Sequence, residues 1–234
     1  MTERPILYGA PMIRALKAGI KTQTRRARGL KELNSSPDSW EVMPSWRDGE
    51  WIFYTDPWTE AHGIECPYGK HGEVLWSRET FTVETNFNVG DYPPPFNDGR
   101  PVRLHDDPDY GQWWEQCHYR ATDPMPDLVY ENSGNEGDEP TCRWSPSIHM
   151  PKWASRFRHV ITDVRLERIL DITFDDAIAE GVFADFDPQD GHGFRCEARI
   201  MFFELWDSIN KKRGLGVDVN PWVWKITFEE CDHG

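Results

Sequence analysis

The segment LKAGIKTQTRR, residues 16–26, carries the turn on which the expected fold depends. It overlaps PMIRALKA, which opens with Pro11 and stops just before Gly19. Proline at the first helical position and glycine just past the last one are typical of a short helix. The pattern predicts a helix over residues 11–18, after which KTQTRR continues as irregular or early-strand backbone.

This turn lies in a purely basic stretch of an acidic protein. Eight Lys or Arg and no Asp or Glu stand between Arg4 and Lys31, whereas the 234-residue chain has a formal net charge of −14. The net charge argues against a general duplex-DNA or membrane-surface binder, so we expect any nucleic-acid contact to be local.

Chain length and cysteine content set the broad class. The length suits a single domain over residues 1–234. The sequence lacks a run of about 18 apolar residues and a secretory signal pattern, which predicts a cytoplasmic protein without a membrane partner. The five cysteines include no C-x-x-C pair, which favours reduced thiols. We expect no metal and no cofactor. A zinc site built from Cys66, Cys117, Cys142 and His149 stays open, although the spacing does not suggest one.

Hydrophobic periodicity predicts the remaining elements. Alternation indicates strands over residues 72–83, 159–170 and 222–228, while helical spacing and a Thr173 cap indicate helices over 174–181 and 195–210. The regions 29–70 and 84–141 are punctuated by Pro, Gly and Asp. They are interpreted as long inserted loops, with a hairpin around 51–54 and a short strand near 116–120. The expected inward faces are Val160, Thr162, Val164 and Leu166; Ala198, Met201, Phe202, Leu205, Trp206 and Ile209; and Trp222, Trp224, Ile226 and Phe228.

This element order predicts an α+β fold. It contains no repeated strand–helix–strand unit, and we expect a small antiparallel or mixed β-barrel with flanking helices.

Three residues are the leading candidates for chemistry. Lys21 and Thr24 would converge if the backbone after Gly19 is irregular, although strict strand geometry would place them on opposite faces. Neighbouring arginines should make Lys21 lose its proton more readily, so that it activates a hydroxyl or stabilises an oxyanion. Glu180 ends a short helix, where the helix dipole disfavours a negative charge. A solvated basic turn and a surface glutamate are the competing interpretations.

Two further groups are candidates for substrate binding. The acid-free segment SPSIHMPKWASRFRHV, residues 145–160, offers cations and an aromatic plane suited to phosphate contact and base stacking. Its tryptophan and arginines are equally consistent with a core residue and a strand edge. The adjacent Arg78 and Glu79 would line a barrel mouth or be an ordinary cross-strand ion pair. The candidate binding residues are Arg26, Arg78, Glu79, His149, Lys152, Trp153 and Arg156.

At these residues the chain resembles the ASCH family, which is built on the PUA-like β-barrel. The resemblance lies in GIKTQTRR, GEVLWSRETF, TFDDAIAEGV and NPWVWKITFE, roughly half of the chain, and the overall arrangement is similar to large ASCH proteins of phages and prophages. It implies a barrel whose mouth binds a modified nucleoside or single-stranded RNA.

The resemblance also implies a reaction. In small bacterial members that hydrolyse N4-acetylcytidine, the catalytic lysine and threonine fall on Lys21 and Thr24, and the glutamate on Glu180. Thr24 would attack the acetyl carbonyl or orient water, Lys21 would deprotonate or polarise, and Glu180 would pass the proton to the leaving amine. A non-catalytic module that binds RNA or a modified base, and a ribonuclease, are the alternatives. The oligomeric state is not predicted.

Overall fold

The computed structural model describes residues 2–44, 51–54, 62–86, 100–108, 111–123, 143–182 and 194–231. Within these ranges it has the following strands and helices: β1 (Glu3–Leu7), α1 (Ala10–Lys17), β2 (Gln23–Arg26), β3 (Glu41–Pro44), β4 (Trp51–Tyr54), β5 (His62–Ile64), β6 (Val74–Arg78), β7 (Phe81–Asn86), β8 (Val102–Asp107), β9 (Gly111–Tyr119), β10 (Arg158–Arg168), α2 (Phe174–Ala179), α3 (Phe194–Asn210) and β11 (Trp222–Glu230).

The described strands form three sheets in a mixed α+β fold. A five-stranded sheet has the order β1-β6-β10-β11-β2, and two three-stranded sheets have the orders β3-β4-β5 and β7-β9-β8. The pairs β10–β11 and β11–β2 are antiparallel, as are those of both smaller sheets. Strands β1 and β2 are the edges of the five-stranded sheet, and no pairing closes it into a barrel within the described ranges.

The chain divides into two units. Unit 1 consists of Met1–Arg4, Arg14–Leu75 and Arg158–Gly234, and unit 2 consists of Pro5–Ile13 and Trp76–Phe157. The expected single domain over 1–234 remains a prediction.

Unit 1 has a hydrophobic cluster built around α3. The residues that α3 buries there are spaced four apart, as one face of a helix requires. They pack with residues of α2, β11 and the turn after β10. The buried members are Ile169, Ile172, Ala177, Ala198, Phe202, Trp206 and Val223. The expected inward residues Met201 and Ile209 are 37% and 56% exposed, so the buried stripe is narrower than the periodicity predicts.

Unit 2 has its own cluster on one face of the β7-β9-β8 sheet. The buried members are Phe81, Cys117, Tyr119, Met150 and Ala154, with Val83 and Trp153 packed against them. The Tyr119 hydroxyl donates to the Ala154 carbonyl at 2.8 Å, which satisfies the one polar atom of that side chain.

Two strand predictions are wrong in their extent. GEVLWSRETFTV is two strands, β6 and β7, which belong to different sheets. The chain leaves the first sheet at Glu79, and a period-two pattern cannot detect this because both strands use the same residue types. The region 84–141, interpreted as loop with a short strand near 116–120, contains the end of β7 and all of β8 and β9, so the short strand is confirmed as part of the longer β9. The expected hairpin at 51–54 is β4, which pairs with both β3 and β5.

Strand β10 confirms the prediction over 159–170, and its expected inward face is confirmed at Leu166 but not at Val160 and Thr162. The pairing with β11 shifts register between Ile161 and Asp163, and such a bulge turns the following residues to the other face. Before this shift Ile161 is buried and Val160 is half-buried, whereas after it Leu166 is buried as expected. The C-terminal strand, the Thr173 cap and both late helices are confirmed. None of the described helices is long and apolar enough to span a membrane.

Candidate functional site

The turn between α1 and β2 presents Lys21. Gly19 adopts a left-handed backbone with φ +68°, the conformation in which glycine commonly ends a helix. The Ala15 carbonyl then accepts hydrogen bonds from the amides of Ile20 (3.0 Å) and Lys21 (3.2 Å). The predicted helix end at Gly19 is confirmed, and Lys21 precedes β2 on irregular backbone.

The Lys21 ammonium is buried among three acceptors. Nζ donates to the Gln23 carbonyl at 2.8 Å, to the Glu180 carbonyl at 2.8 Å and to Glu180 Oε2 at 3.0 Å. These acceptors equal in number the N–H groups of an ammonium. The side chain is 1% exposed, so its interactions are made in a medium of low dielectric constant.

The pKa of Lys21 is lowered, and burial is the largest cause. Glu180 opposes the shift, while the charges of Arg26 and Arg25 add to it. The expected direction is thus confirmed, but desolvation of the ammonium dominates over the neighbouring arginines. A lysine in this setting gives up its proton more readily than an exposed one.

Glu180 caps the C-terminal end of α2, and its carboxylate meets two cations. Its amide donates to the Asp176 carbonyl at 2.9 Å. Oε2 accepts from Lys21, and Oε1 accepts from Arg25 Nη1 at 3.2 Å. Because a helix C-terminus disfavours negative charge, these two cations provide the compensation that the position requires.

Gly181 permits the end of α2 to approach Lys21 closely. Its φ of +85° is in the left-handed region. A Cβ at this position would lie 2.5 Å from the Ala15 Cβ and 3.2 Å from the Lys21 Cβ. The backbone hydrogen bond from Thr22 N to the Ala179 carbonyl (2.9 Å) joins the same two segments. A residue without a side chain is therefore required here.

Arg25 binds three carboxylates from two elements. Nε donates to Glu167 Oε1 at 2.8 Å, and Nη2 lies 2.7 Å from the same oxygen. Nη2 is also 3.2 Å from Asp176 Oδ2, and Nη1 binds Glu180. The guanidinium carbon lies 5.9 Å from the centre of the Phe202 ring. The Arg25 side chain is 0% exposed, so β2, β10 and α2 are joined through one buried guanidinium.

Asp176 is held by a lysine and by its helix cap. Lys225 Nζ lies 2.6 Å from Oδ1. The Thr173 hydroxyl accepts from the Asp176 amide at 3.1 Å, and Asp176 Oδ2 accepts from the Thr173 amide at 3.2 Å, which forms a capping box. Burial opposes ionisation, but these hydrogen bonds and the Arg25 charge hold the pKa of Asp176 well below its usual range.

Glu167 has the opposite shift. Burial raises the pKa of this carboxyl, while the charge and hydrogen bond of Arg25 act against the rise. The pKa values of two carboxylates that bind the same guanidinium are thus shifted in opposite directions, because Asp176 accepts additional hydrogen bonds.

Together these side chains form what we call the charge cluster: Lys21, Arg25, Glu167, Asp176, Glu180 and Lys225. It contains three cations and three carboxylates, so the ionised cluster is neutral. Breaking a buried ion pair by removing one partner costs about 3–5 kcal/mol, because the remaining charge stays out of water. The cluster is therefore sensitive to any single neutralising change.

Thr24 and Arg26 lie on β2 next to this cluster. Thr24 pairs with Ile226 and is 2% exposed, and Arg26 pairs with Trp224. Successive residues of a strand point to opposite faces, so Thr24 lies on the face away from Arg25. The structure brings Lys21 and Glu180 together, and it shows Thr24 beside the core residue Ile226.

Arg78 and Glu79 do not form an ion pair with each other. In unit 2, Glu79 instead binds Arg156 through two bonds of 2.8 and 2.9 Å. Arg156 also donates to the Thr122 hydroxyl at 2.9 Å and stacks 4.1 Å from the Tyr119 ring centre. Adjacent strand residues point apart, which is why a partner distant in sequence takes the carboxylate.

Arg78 has different contacts. Nη1 donates to the Ile148 carbonyl at 3.2 Å, and the guanidinium lies 4.7 Å from the Trp76 ring centre. This packing follows from the amphipathic nature of arginine, whose flat cation rests on aromatic faces.

The acid-free segment of unit 2 has both core and exposed residues. Met150 is 0% exposed, and Trp153 packs against the same cluster. His149 and Lys152 are exposed. The Arg103 guanidinium lies 5.9 Å from the Trp153 ring centre.

The thiols do not form a recognisable metal site among the residues that the structure describes. Burial raises the pKa of Cys66 and of Cys117 to about 12, which disfavours the thiolate that zinc binds. Cys142 lies outside the described residues. Within them, no group of three His, Cys, Asp or Glu side chains is arranged to hold a metal ion.

In comparisons with known proteins, no family model, no curated protein and no solved structure matches this chain. The fold class and the charge cluster are therefore the observations from which a function can be proposed.

Sequence reasoning missed four members of the cluster: Arg25, Glu167, Asp176 and Lys225. One signal was present for Lys225, which interrupts the buried residues of VWKITF as a single cation. Asp176 lies in the first turn of α2, where acids are common, and its partners in the cluster depend on strand register.

Proposed function

We propose that the chain is a PUA-like (ASCH) hydrolase of an acylated or otherwise modified nucleoside, of the N4-acetylcytidine amidohydrolase type. The observation that carries this proposal is the buried 3.0 Å contact between Lys21 Nζ and Glu180 Oε2. A lysine with a lowered pKa in direct contact with a carboxylate suits the two proton transfers of amide hydrolysis.

The roles follow from this chemistry. Transfer of one proton from the Lys21 ammonium to the Glu180 carboxylate along their hydrogen bond gives a neutral amine and a carboxylic acid. Lys21 then accepts a proton from water as the water oxygen forms a bond to the acetyl carbon. The bond between that carbon and N4 then breaks, and Glu180 delivers the proton to the leaving amine. The products are the nucleoside and acetic acid, which becomes acetate by releasing a proton to solvent, and Lys21 and Glu180 are again the ammonium and the carboxylate present at the start.

The position of Thr24 makes the Lys21–Glu180 pair the centre of the proposal. Thr24 lies on the strand face away from Arg25, so nucleophilic attack by its hydroxyl requires a change of backbone after Gln23. Activation of water by Lys21 requires no such change. Replacing the threonine therefore distinguishes the two routes.

The test is hydrolysis of a panel of acylated nucleosides that includes N4-acetylcytidine, followed by mass spectrometry of the product. We expect turnover by the wild type and a loss of 100-fold or more, roughly, in Lys21→Met and Glu180→Gln, as is typical for a lost acid or base. The matched control is Arg168→Gln, which removes an ion pair with Asp38 in the same unit. If no substrate is turned over, the proposal is overturned. If Thr24→Val is as inactive as Lys21→Met, the threonine route replaces the water route.

A second candidate function, binding of RNA or a modified base, is favoured by the surface of unit 2. His149 and Lys152 are exposed there, and Trp153 has a cation within stacking distance. Such a combination suits single-stranded nucleic acid. We expect His149→Ala with Lys152→Ala to weaken RNA binding in fluorescence anisotropy. Cleavage of the RNA, abolished by Lys21→Met, would instead indicate a ribonuclease.

A further inference from the structure

The Glu180 carboxylate is anchored at both oxygens by different cations. Oε2 lies 3.0 Å from Lys21 Nζ, and Oε1 lies 3.2 Å from Arg25 Nη1. The terminal torsion of a glutamate is broad and is weakly restrained by its own chain. Two contacts to separate oxygens therefore fix the plane of the carboxylate, which one contact would leave free to rotate.

Arg25 is itself fixed by other carboxylates. Glu167 accepts at 2.8 Å from Nε, and Asp176 lies 3.2 Å from Nη2. A planar guanidinium serves several acceptors in set directions, whereas an ammonium acts as a compact point charge. Arg25 is thus a rigid support, and the position of its Nη1 does not depend on Glu180 alone.

We propose that Arg25 is a positioning residue for hydrolysis: it holds Glu180 Oε1 so that Oε2 stays directed at Lys21. This inference rests on the proposed function of Lys21 and Glu180. Arg25 does not contact substrate in this role. It acts by keeping the proton donor and the proton acceptor in one orientation, on which the efficiency of proton transfer depends.

The charged groups that act on Lys21 come from two elements. Glu180 faces it from the end of α2, and Arg25 and Arg26 act on it from β2. The Glu180 charge raises the pKa of Lys21, whereas both arginine charges lower it, and burial lowers it most. Removing the Arg25 charge should therefore raise the pKa of Lys21. The substitution Arg25→Lys instead keeps the positive charge and loses the planar guanidinium with its several N–H donors.

The experiment compares wild type, Arg25→Lys, Arg25→Gln and the control Arg168→Gln. We measure kcat and KM against pH, and titrate the Lys21 side chain by carbon-13 NMR with Lys21→Met for assignment. Both Arg25 variants should lose about 10-fold or more in kcat at nearly unchanged KM, because stabilisation of the transition state falls while substrate binding does not change. In Arg25→Gln the low-pH limb of kcat and the Lys21 titration should both move to higher pH. Arg168→Gln should match the wild type.

The outcomes separate this proposal from the proposed function. If the wild type turns over no acylated nucleoside, the hydrolase is overturned, and the Lys21 titration alone then decides whether Arg25 controls the pair. An unmoved titration in Arg25→Gln overturns the Arg25 proposal, as does unchanged kcat in an active enzyme. If Arg25→Gln fails to fold, Glu167→Gln provides the measurement, since it loosens Arg25 and leaves its Glu180 contact. If Glu167→Gln lowers kcat by less than Arg25→Lys does, the result supports the proposal. If Glu167→Gln leaves kcat unaltered, the result contradicts it.

Discussion

Arg25 and Lys225 lie directly opposite each other on the neighbouring antiparallel strands β2 and β11. Like charges at such positions destabilise a sheet. The Asp176 carboxylate lies between them, with Oδ1 2.6 Å from Lys225 Nζ and Oδ2 3.2 Å from Arg25 Nη2. A helix residue thus neutralises a repulsive cross-strand pair, and this docks α2 on the sheet.

Asp176→Asn should lower the free energy of unfolding by about 3 kcal/mol, because it leaves the buried Arg25 and the half-buried Lys225 with reduced compensation. Urea unfolding at pH 7 measures the change. The matched control is Asp175→Asn, which alters an exposed acid in the same first turn of α2 and should change stability by about 0.5 kcal/mol. Equal effects of the two substitutions would show that the charge bridge does not dock the helix.

Gly181→Ala should destabilise the fold by about 2 kcal/mol or more. Its φ of +85° is unfavourable for alanine, and the added Cβ would lie 2.5 Å from that of Ala15. Thermal unfolding provides the measurement. Gly214→Ala is the matched control, since Gly214 has a similar φ of +74° and no atom within 4 Å of an added Cβ. The difference between the two variants isolates the steric contribution, and its absence would contradict the close approach.

Glu79→Ala should lower the free energy of unfolding by about 3 kcal/mol, because the half-buried Arg156 guanidinium loses a bidentate partner. The double variant Glu79→Leu with Arg156→Met should recover much of that loss, since no buried charge remains. As a control, Asp163→Asn removes the exposed pair with Arg165 and should change stability by less than about 1 kcal/mol. A double variant no better than Glu79→Ala would argue against the desolvation account.

Stability should rise with pH where Lys21 is protonated in the unfolded chain and neutral in the folded one. Its folded pKa is lowered, whereas the unfolded value is about 10.4. Between these values the unfolded state binds more protons, so the free energy of unfolding increases with pH. Urea titrations should show this increase in the wild type relative to Lys21→Met. Parallel pH dependences of the two proteins would contradict the lowered pKa.

Local chemistry could be predicted from sequence where the signal lies within one turn of chain. Gly19, Thr173 and Gly181 each mark a helix boundary because their backbone or capping preferences are intrinsic to the residue. The Arg25–Glu180 contact could not be predicted this way. This contact depends on the pairing register of β2 with β11 and on where α2 docks. Neither can be inferred from the hydrophobic periodicity of a single segment.

The same limit explains the errors in unit 2. Residues of β8 and β9 are surrounded by Pro, Gly and Asp, so their short alternating patterns are obscured by turn signals on both sides. The Glu79–Arg156 pair joins residues far apart in sequence. Only the fold brings such partners together, whereas adjacency in sequence suggested Arg78 for Glu79.

The Arg25 guanidinium also affects local unfolding of the helix α2. Helix α2 has six residues, fewer than the roughly 12 that an isolated helix needs for marginal stability. Asp176 of this helix and its cap residue Glu180 are bound to the Arg25 guanidinium, which is bound in turn to Glu167 of β10. If α2 unfolded alone, the buried Arg25 guanidinium would lose two of its carboxylate partners, so local unfolding of this helix is unfavourable. Its amide hydrogens should exchange with solvent together with those of β2 and β10, as one cooperative unit.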